Sequence, residues 1–202
     1  ATAEKYKFYV RRFDSGTPAE LITLIRSLEE IFKQNSVVGV GDRLAIIRSL
    51  LRGEALSQFE AALNEALLKP SGALRVLAAR HLEKGLEAIK KGVFPHRALF
   101  IQKAWMCRKM RKPADMPFRK LMAAVTRLNN SLPYFPTASI ADKFTEVEII
   151  ELLEWVIPPR WRNKFDLDSY TPTLNSKAAL LERCEAIERN EPKTHVQKPS
   201  VS

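Results

Sequence analysis

Apolar residues recur along this chain at intervals of three and four, and no long stretch alternates with period two. That spacing predicts helices. The clearest one lies in FTEVEIIELLEWVIPPRWRNKF, residues Phe144 to Phe165. Thr145 is placed to cap it, with Glu148 three residues on as the reciprocal partner of a capping box. Ile149, Ile150, Leu152, Leu153 and Val156 form one apolar stripe, while Glu146, Glu148, Glu151 and Glu154 occupy the remaining surface. Pro158 and Pro159 disfavour helix before them and end the element. Trp161 and Phe165, four apart, then share one side of a short helix near Arg160–Phe165.

The same reasoning places the other elements. Thr17-Pro18-Ala19-Glu20 combines an N-cap, a proline at the first helical position and a capping-box glutamate. Leu21, Ile22, Leu24, Ile25, Leu28, Ile31 and Phe32 carry that helix to about Lys33. A loop over Asn35–Gly41 follows, then helices over Asp42–Leu51 and Glu54–Leu68 with Gly53 as the break. Pro70-Ser71-Gly72 is a turn. Helix is expected again over Leu74–Lys91, Pro95–Arg111, Met116–Leu132 and Ser176–Asn190. Pro133 and Pro136 end the third of these, and a polar loop runs on to Lys143. Tyr6–Arg11 alternates briefly and reads as extended. From Glu191 the chain turns to Pro, Lys, Thr, Gln and Ser and reads as a disordered tail. The expected class is all-α, without internal repeats.

Composition agrees: aromatic residues make up 8% of the 202 and glycines number seven. No run of about 18 apolar residues exists to span a membrane. Lys5, Lys7, Arg11 and Arg12 interrupt any signal-peptide core. The first residue is Ala1 rather than Met, the expectation for a segment excised from a longer precursor. Cys107 and Cys184 lack metal-ligand spacing and are too few for a disulfide framework, so a reducing compartment and two buried thiols are expected.

Charge changes the picture most. Residues 1–112 hold 21 Lys and Arg against 11 Asp and Glu, and residues 113–202 hold 12 of each. No acid lies between Glu87 and Asp115, where Lys90, Lys91, Arg97, Lys103, Arg108, Lys109, Arg111 and Lys112 all fall. Such a block is either a solvated helix face or a set of non-specific phosphate contacts. The charge boundary coincides with Arg111-Lys112-Pro113-Ala114-Asp115, a short linker by composition. Two small helical domains are expected, 1–112 basic and 113–190 neutral, with 191–202 as the tail.

Catalytic constellations are not found. His81, His96 and His195 have no carboxylate, cysteine or second histidine at ligand spacing. Asp166-Leu167-Asp168 reads as a turn after a helix rather than a cation site. Glu148, Glu151 and Glu154 lack the Glu-x-x-His partner of a diiron bundle. Gly39-Val40-Gly41 is followed by no Gly-Lys-Ser/Thr and serves to turn the chain. Trp105 and Trp155 sit on helical stripes and read as core, whereas Trp161 follows a break and is a candidate subunit contact. No cofactor, no metal and no enzymatic activity are expected.

Three segments carry a family resemblance: FPHRALFIQKAWMCRKMRKPADMPFRKLMAAVTRLNNSLPYFP (Phe94–Pro136), KFTEVEIIELLEWVIPPRWRNKFDLDSYTPTL (Lys143–Leu174) and CEAIERNE (Cys184–Glu191). With the two-lobed organisation they resemble the Gag capsid protein of Ty3/gypsy-type LTR retrotransposons, notably those of diatoms. The likeness spans nearly the whole chain apart from the tail. In that family a helix of the Phe118–Leu128 type opens the C-terminal capsid domain, and Leu152–Pro159 matches a leucine-rich helix with a proline-marked turn. The Gln and Glu of the retroviral major homology region are not evident around Asp115–Arg127, which points to a retrotransposon rather than an orthoretrovirus. Neither a zinc knuckle nor an Asp-Thr/Ser-Gly protease motif occurs, so any nucleocapsid region is expected beyond Ser202.

What the resemblance implies is a structural protein that self-assembles into a virus-like shell packaging element RNA in the cytoplasm. Its partners would be itself, in rings and C-terminal domain dimers, and RNA without sequence preference, with no membrane. Ring contacts are expected around Glu20, Leu24, Arg43 and Ile47, and the dimer contact around Glu151, Trp155 and Trp161. Two alternatives stay open: an RNA-binding nucleoprotein, and a Gag-derived host adaptor acting by dimerisation.

Overall fold

A computed structural model describes residues 10–191. The expected extended start lies outside these residues except for Val10 and Arg11, and the expected tail lies outside them except for Glu191. Nine α-helices make up the described chain: α1 Pro18–Gln34, α2 Val40–Leu50, α3 Gly53–Leu67, α4 Ala79–Val93, α5 Ala98–Arg108, α6 Phe118–Ser131, α7 Glu146–Val156, α8 Pro159–Leu167 and α9 Lys177–Arg189. Short 3-10 turns occupy Leu132–Tyr134, Ile140–Asp142 and Pro172–Leu174. Among the described residues extended pairing is confined to two isolated bridges, Phe13 with Leu51 and Leu68 with Leu74.

Helix starts are set by local chemistry. At α1 the Thr17 hydroxyl accepts the Glu20 N–H at 3.3 Å, and the Glu20 carboxylate accepts the Thr17 N–H at 2.9 Å. At α7 the Glu148 N–H donates to Thr145 Oγ1 at 3.3 Å and the Thr145 N–H to Glu148 at 2.7 Å. Both capping boxes hold their glutamates ionised, below the usual carboxylate range, first through the threonine backbone N–H. Gly39 is the extended N-cap of α2. For α3 the cap comes from afar. The Asp14 carboxylate accepts the Glu54 N–H at 3.0 Å, and Phe13 exchanges bonds with Leu50 and Arg52, both 2.8 Å. Gly53 meets this carboxylate at φ +48°, where a side chain would strike Asp14.

Two helices begin later than their periodicity suggests. α4 starts at Ala79 rather than Leu74, because residues 67–75 form a clip: Arg75 N–H donates to Leu67 O at 2.7 Å and Lys69 N–H to Ala73 O at 2.9 Å. α5 starts at Ala98 rather than Pro95, since Arg97 takes φ +58° and breaks the run.

The described chain divides into two compact units. The first runs to Ile101 and includes Ser131–Ile140; the second comprises Gln102–Asn130 and the chain from Ala141. This division passes through α5 and the end of α6, not at Lys112–Pro113. In the first unit α1 packs on α2 and α4, and α3 on α4, around Leu21, Leu24, Leu28, Ile46, Ile47, Phe59, Leu63 and Ile89. In the second, α7 packs on α9 and on Pro172–Leu174, and Phe118, Val125, Leu153, Trp161, Phe165, Leu180 and Cys184 are buried.

The α3–α4 crossing depends on Gly85. A methyl group there would lie 2.5 Å from the buried Phe59 ring. Gly85→Ala should therefore destabilise the protein by about 1–3 kcal/mol through overpacking, outweighing the roughly 1 kcal/mol gained in helix propensity. Urea denaturation measures this; a Gly85→Ala protein at least as stable as the parent would refute the tight crossing.

Candidate functional site

The second unit is fastened by a row of carboxylates on α9 and just after its end. Glu185 pairs with Arg119 through two bonds of 2.7 and 3.0 Å. Glu188 accepts the Phe118 N–H at 3.2 Å, capping α6, and lies 3.1 Å from the Lys112 ammonium. Glu191 receives Arg160 at 2.8 Å and the indole N–H of Trp161. Asp168, at the end of α8, pairs with Arg183. Lys112 is the unusual member, because its side chain is 5% exposed. Its ammonium stands 5.1 Å over the Trp161 ring, and its N–H donates to Val156 O at 2.9 Å. Within the segment expected to be a linker, Lys112 is thus anchored in the second unit, while Arg111, Pro113, Ala114 and Asp115 around it are exposed.

This arrangement sorts the basic block. Lys112 is consumed, as is Lys103, whose ammonium donates to Asp142 O at 3.0 Å and covers the Phe144 ring at 4.8 Å. Lys90 is mostly covered and pairs with Glu87 at 3.7 Å. Lys91, Arg97, Arg108, Lys109 and Arg111 are exposed; Arg97 stacks on Phe100 at 4.6 Å, and Arg111 donates to Met110 O at 2.6 Å. Lys91 and Arg97 belong to the first unit and the other three to the second.

The candidate contact residues are sorted as sharply. Leu24 and Ile47 are buried core of the first unit, not surface, as members of the apolar stripes of α1 and α2. Glu20 is occupied by the α1 cap and by Arg11 at 3.6 Å. Arg43 donates to Val37 O at 2.9 Å and lies over Phe32, bracing the loop before α2. Trp161 is 0% exposed and cannot meet a neighbour; with its N–H satisfied by Glu191, the indole belongs inside. Trp155, expected in the core, is instead 64% exposed with Arg162 over its ring at 5.1 Å, and Trp105 is 42% exposed. Glu151 is exposed on the same helix. Val147, exposed and four residues before Glu151, completes an outward line that sequence reasoning missed. The spacing 147, 151, 155 was the available signal.

The remaining chemistry is structural. Cys184 is buried and its thiol is pushed up to about 12, first by burial and then by Glu188. Cys107, expected to be buried, is exposed, because the inward position beside it on α5 is taken by Met106. His81 is buried, its Nδ1 accepting the Ala78 N–H at 3.0 Å to cap α4; His96 is exposed and His195 lies outside the described residues. Among the described residues no three His, Cys, Asp or Glu side chains group to hold a metal, and no helix is long and apolar enough to cross a membrane.

No protein family, curated protein or solved structure matches this chain. The functional reading therefore rests on these surfaces and on the residues that form them.

Two outcomes test the site's physics. Glu188→Ala should cost about 2–3 kcal/mol, leaving a buried ammonium and an uncapped helix, whereas Lys112→Met combined with Glu188→Leu should recover most of it; thermal denaturation that finds both variants equally damaged would refute the pairing. The second outcome concerns His81, whose protonation is disfavoured by burial and then by Arg80, Arg75 and Lys84. The unfolded chain binds this proton more readily, so stability is complete above the ordinary value of about 6.5 and falls as the pH drops below it. His81→Asn should flatten melting temperature against pH across that window, and an unchanged slope would exclude His81 as its source.

Proposed function

We propose that this chain is a capsid-forming Gag protein of the retrotransposon type, which assembles copies of itself into a closed shell around RNA and performs no catalysis. The observation that carries the reading is the outer line of α7. The helix gives its stripe of Ile149, Ile150, Leu152, Leu153 and Val156 to the core, yet keeps Val147 and Trp155 in solvent with Glu151 between them. A tryptophan beside an arginine, rimmed by charge, has the composition of an interface anchor. The acids of α7 adjoin the cations Arg160, Arg162 and Lys164 of α8 in sequence and in the same unit. Acidic and basic elements together make a patch able to pair with its own copy across a two-fold axis.

A closed shell needs a second, ring-forming contact. With Leu24 and Ile47 in the core, that contact falls to exposed positions of α1, such as Glu30 and Lys33. The net charge of +10 supplies the attraction for RNA. Exposed Lys91, Arg97, Arg108, Lys109 and Arg111 are the members of the basic block able to serve it. The particles would be cytoplasmic, with the chain itself and RNA as partners.

Electron microscopy of the purified chain at about 1 M salt, where phosphate contacts are screened, should show closed particles without RNA. Trp155→Ala should weaken the two-fold contact at least tenfold in sedimentation equilibrium, as expected for a central anchor, and abolish closed particles. Polymers that form only with RNA would replace this reading by that of a nucleoprotein.

A further inference from the structure

The strongest unabsorbed feature is a set of cations outside the basic block. Lys69, Arg75 and Arg80 line an open concavity of about 610 Å3, with Pro70, Ser71 and Val76 as the rest of its wall. No carboxylate lines it, and all three cations are exposed. Among the described residues none of the three has an ion-pair partner. Their setting is built rather than loose. The Leu68–Leu74 bridge and a tight turn with Gly72 N–H donating to Lys69 O at 2.9 Å hold Lys69 and Arg75 on one clip. Gly72 adopts φ +78°, which the turn requires. Arg80 stands in the first turn of α4, beside the His81 cap.

The cations continue along α4. Lys84 follows Arg80 by four residues and Lys91 by eleven, so the three share a face over about 16 Å of helix. Lys84 and Lys91 line a second hollow between α3 and α4, whose floor is Ala62, Ala66 and Ala88. Two carboxylates border it. Glu87 is engaged by Lys90 and by the Thr137 N–H at 2.7 Å, and Glu65 is the hollow's other carboxylate; Glu83, exposed beside Lys84, is a further acid near the row.

Five cations in a row, with small side chains between them, fit an extended polyanion better than one isolated anion. No aromatic residue lines either hollow, so bases would find no stacking platform. On the strength of the packaging role proposed above, we infer that Lys69, Arg75, Arg80, Lys84 and Lys91 form a track in the first unit that binds the phosphate backbone of single-stranded RNA without reading sequence. This track, rather than the consecutive basic block, is the unit's main RNA contact.

The test uses the full chain and a fluorescently labelled 12-nucleotide polyuridine, with anisotropy titrations across salt. Replacing Lys69, Arg75 and Arg80 together by Ala should weaken binding tenfold or more at about 0.1 M salt and lower the salt slope by roughly 2, at about 0.7 per phosphate contact for a single strand. Glu65→Gln should tighten binding. A matched control, Arg52, Lys120 and Arg189 all changed to Ala, removes the same net charge from exposed positions off the track and should lose threefold at most. An equal loss in the control, or an unchanged slope in the track variant, would overturn the inference. So would loss of binding to anionic phosphatidylserine vesicles with RNA binding intact, which would make the surface a membrane contact. Shell formation at high salt is scored separately: particles that persist in the track variant leave the capsid reading standing whatever the RNA result, and a parent that binds RNA on this track yet never forms particles refutes only the capsid.

Discussion

Lys112 sets the organisation of the second unit. A lysine ammonium is strongly hydrated, and covering it costs several kcal/mol unless its charge and protons are met. Here Glu188 supplies the opposing charge and the Trp161 ring an electron-rich face, while the lysine main chain holds on to Val156. Because Glu188 also caps α6, one carboxylate fixes the entry of α6, the position of α9 and the burial of Trp161. None of the three can shift without stranding a charge in the core. The price of a buried pair is thus met by geometry that also specifies the packing.

That constraint explains which side chains are left for contact with other molecules. Trp161 must be inside, since its indole N–H and its ring face are both used. Trp155, one turn and a half earlier and across the Pro158 break, has no such partners except Arg162, and it remains in solvent. Within α7 the apolar stripe is already wide enough to fill the core, so a further large aromatic on the outer line is surplus to folding. An exposed aromatic that the fold does not need is the kind of residue an interface uses.

Much of the fold was legible from spacing and caps. Thr17 with Glu20, Thr145 with Glu148, the Gly53 break and the Pro158-Pro159 stop all act through neighbours in sequence, and the structure shows the helices they imply. What sequence hid depends on partners far along the chain. The late start of α4 follows from a clip that periodicity cannot reveal, because Leu74 and Leu77 fit a helical stripe equally well. The 112–113 boundary looked like a linker because proline and clustered cations are common in linkers; only Glu188, 76 residues away, shows Lys112 to be core. The candidate surfaces were harder still. Leu24 and Ile47 are ordinary members of apolar stripes, and their place in the core is what those stripes predict. Trp161 follows a break that suggests exposure, yet the proline turns it inward; Trp155 fits a core stripe as well as the dimer contact, and it lies outside.

Charge gives the same lesson in a form that bears on function. A run of cations in sequence measures how many were encoded together, not how many are free. Of the block between Glu87 and Asp115, Lys90, Lys103 and Lys112 are engaged with groups of their own unit, so their attraction for a polyanion is largely spent inside the fold. Lys69, Arg75 and Arg80 are scattered in sequence and carry no such signature, yet the clip and the start of α4 collect them around one hollow. A phosphate backbone responds to the field of unpartnered charge at a surface, which is additive over neighbours and weak wherever a carboxylate stands close. By that criterion the strongest basic surface of the first unit is the row from Lys69 to Lys91, and three of the eight cations in the most conspicuous basic stretch of the sequence are held by the fold itself.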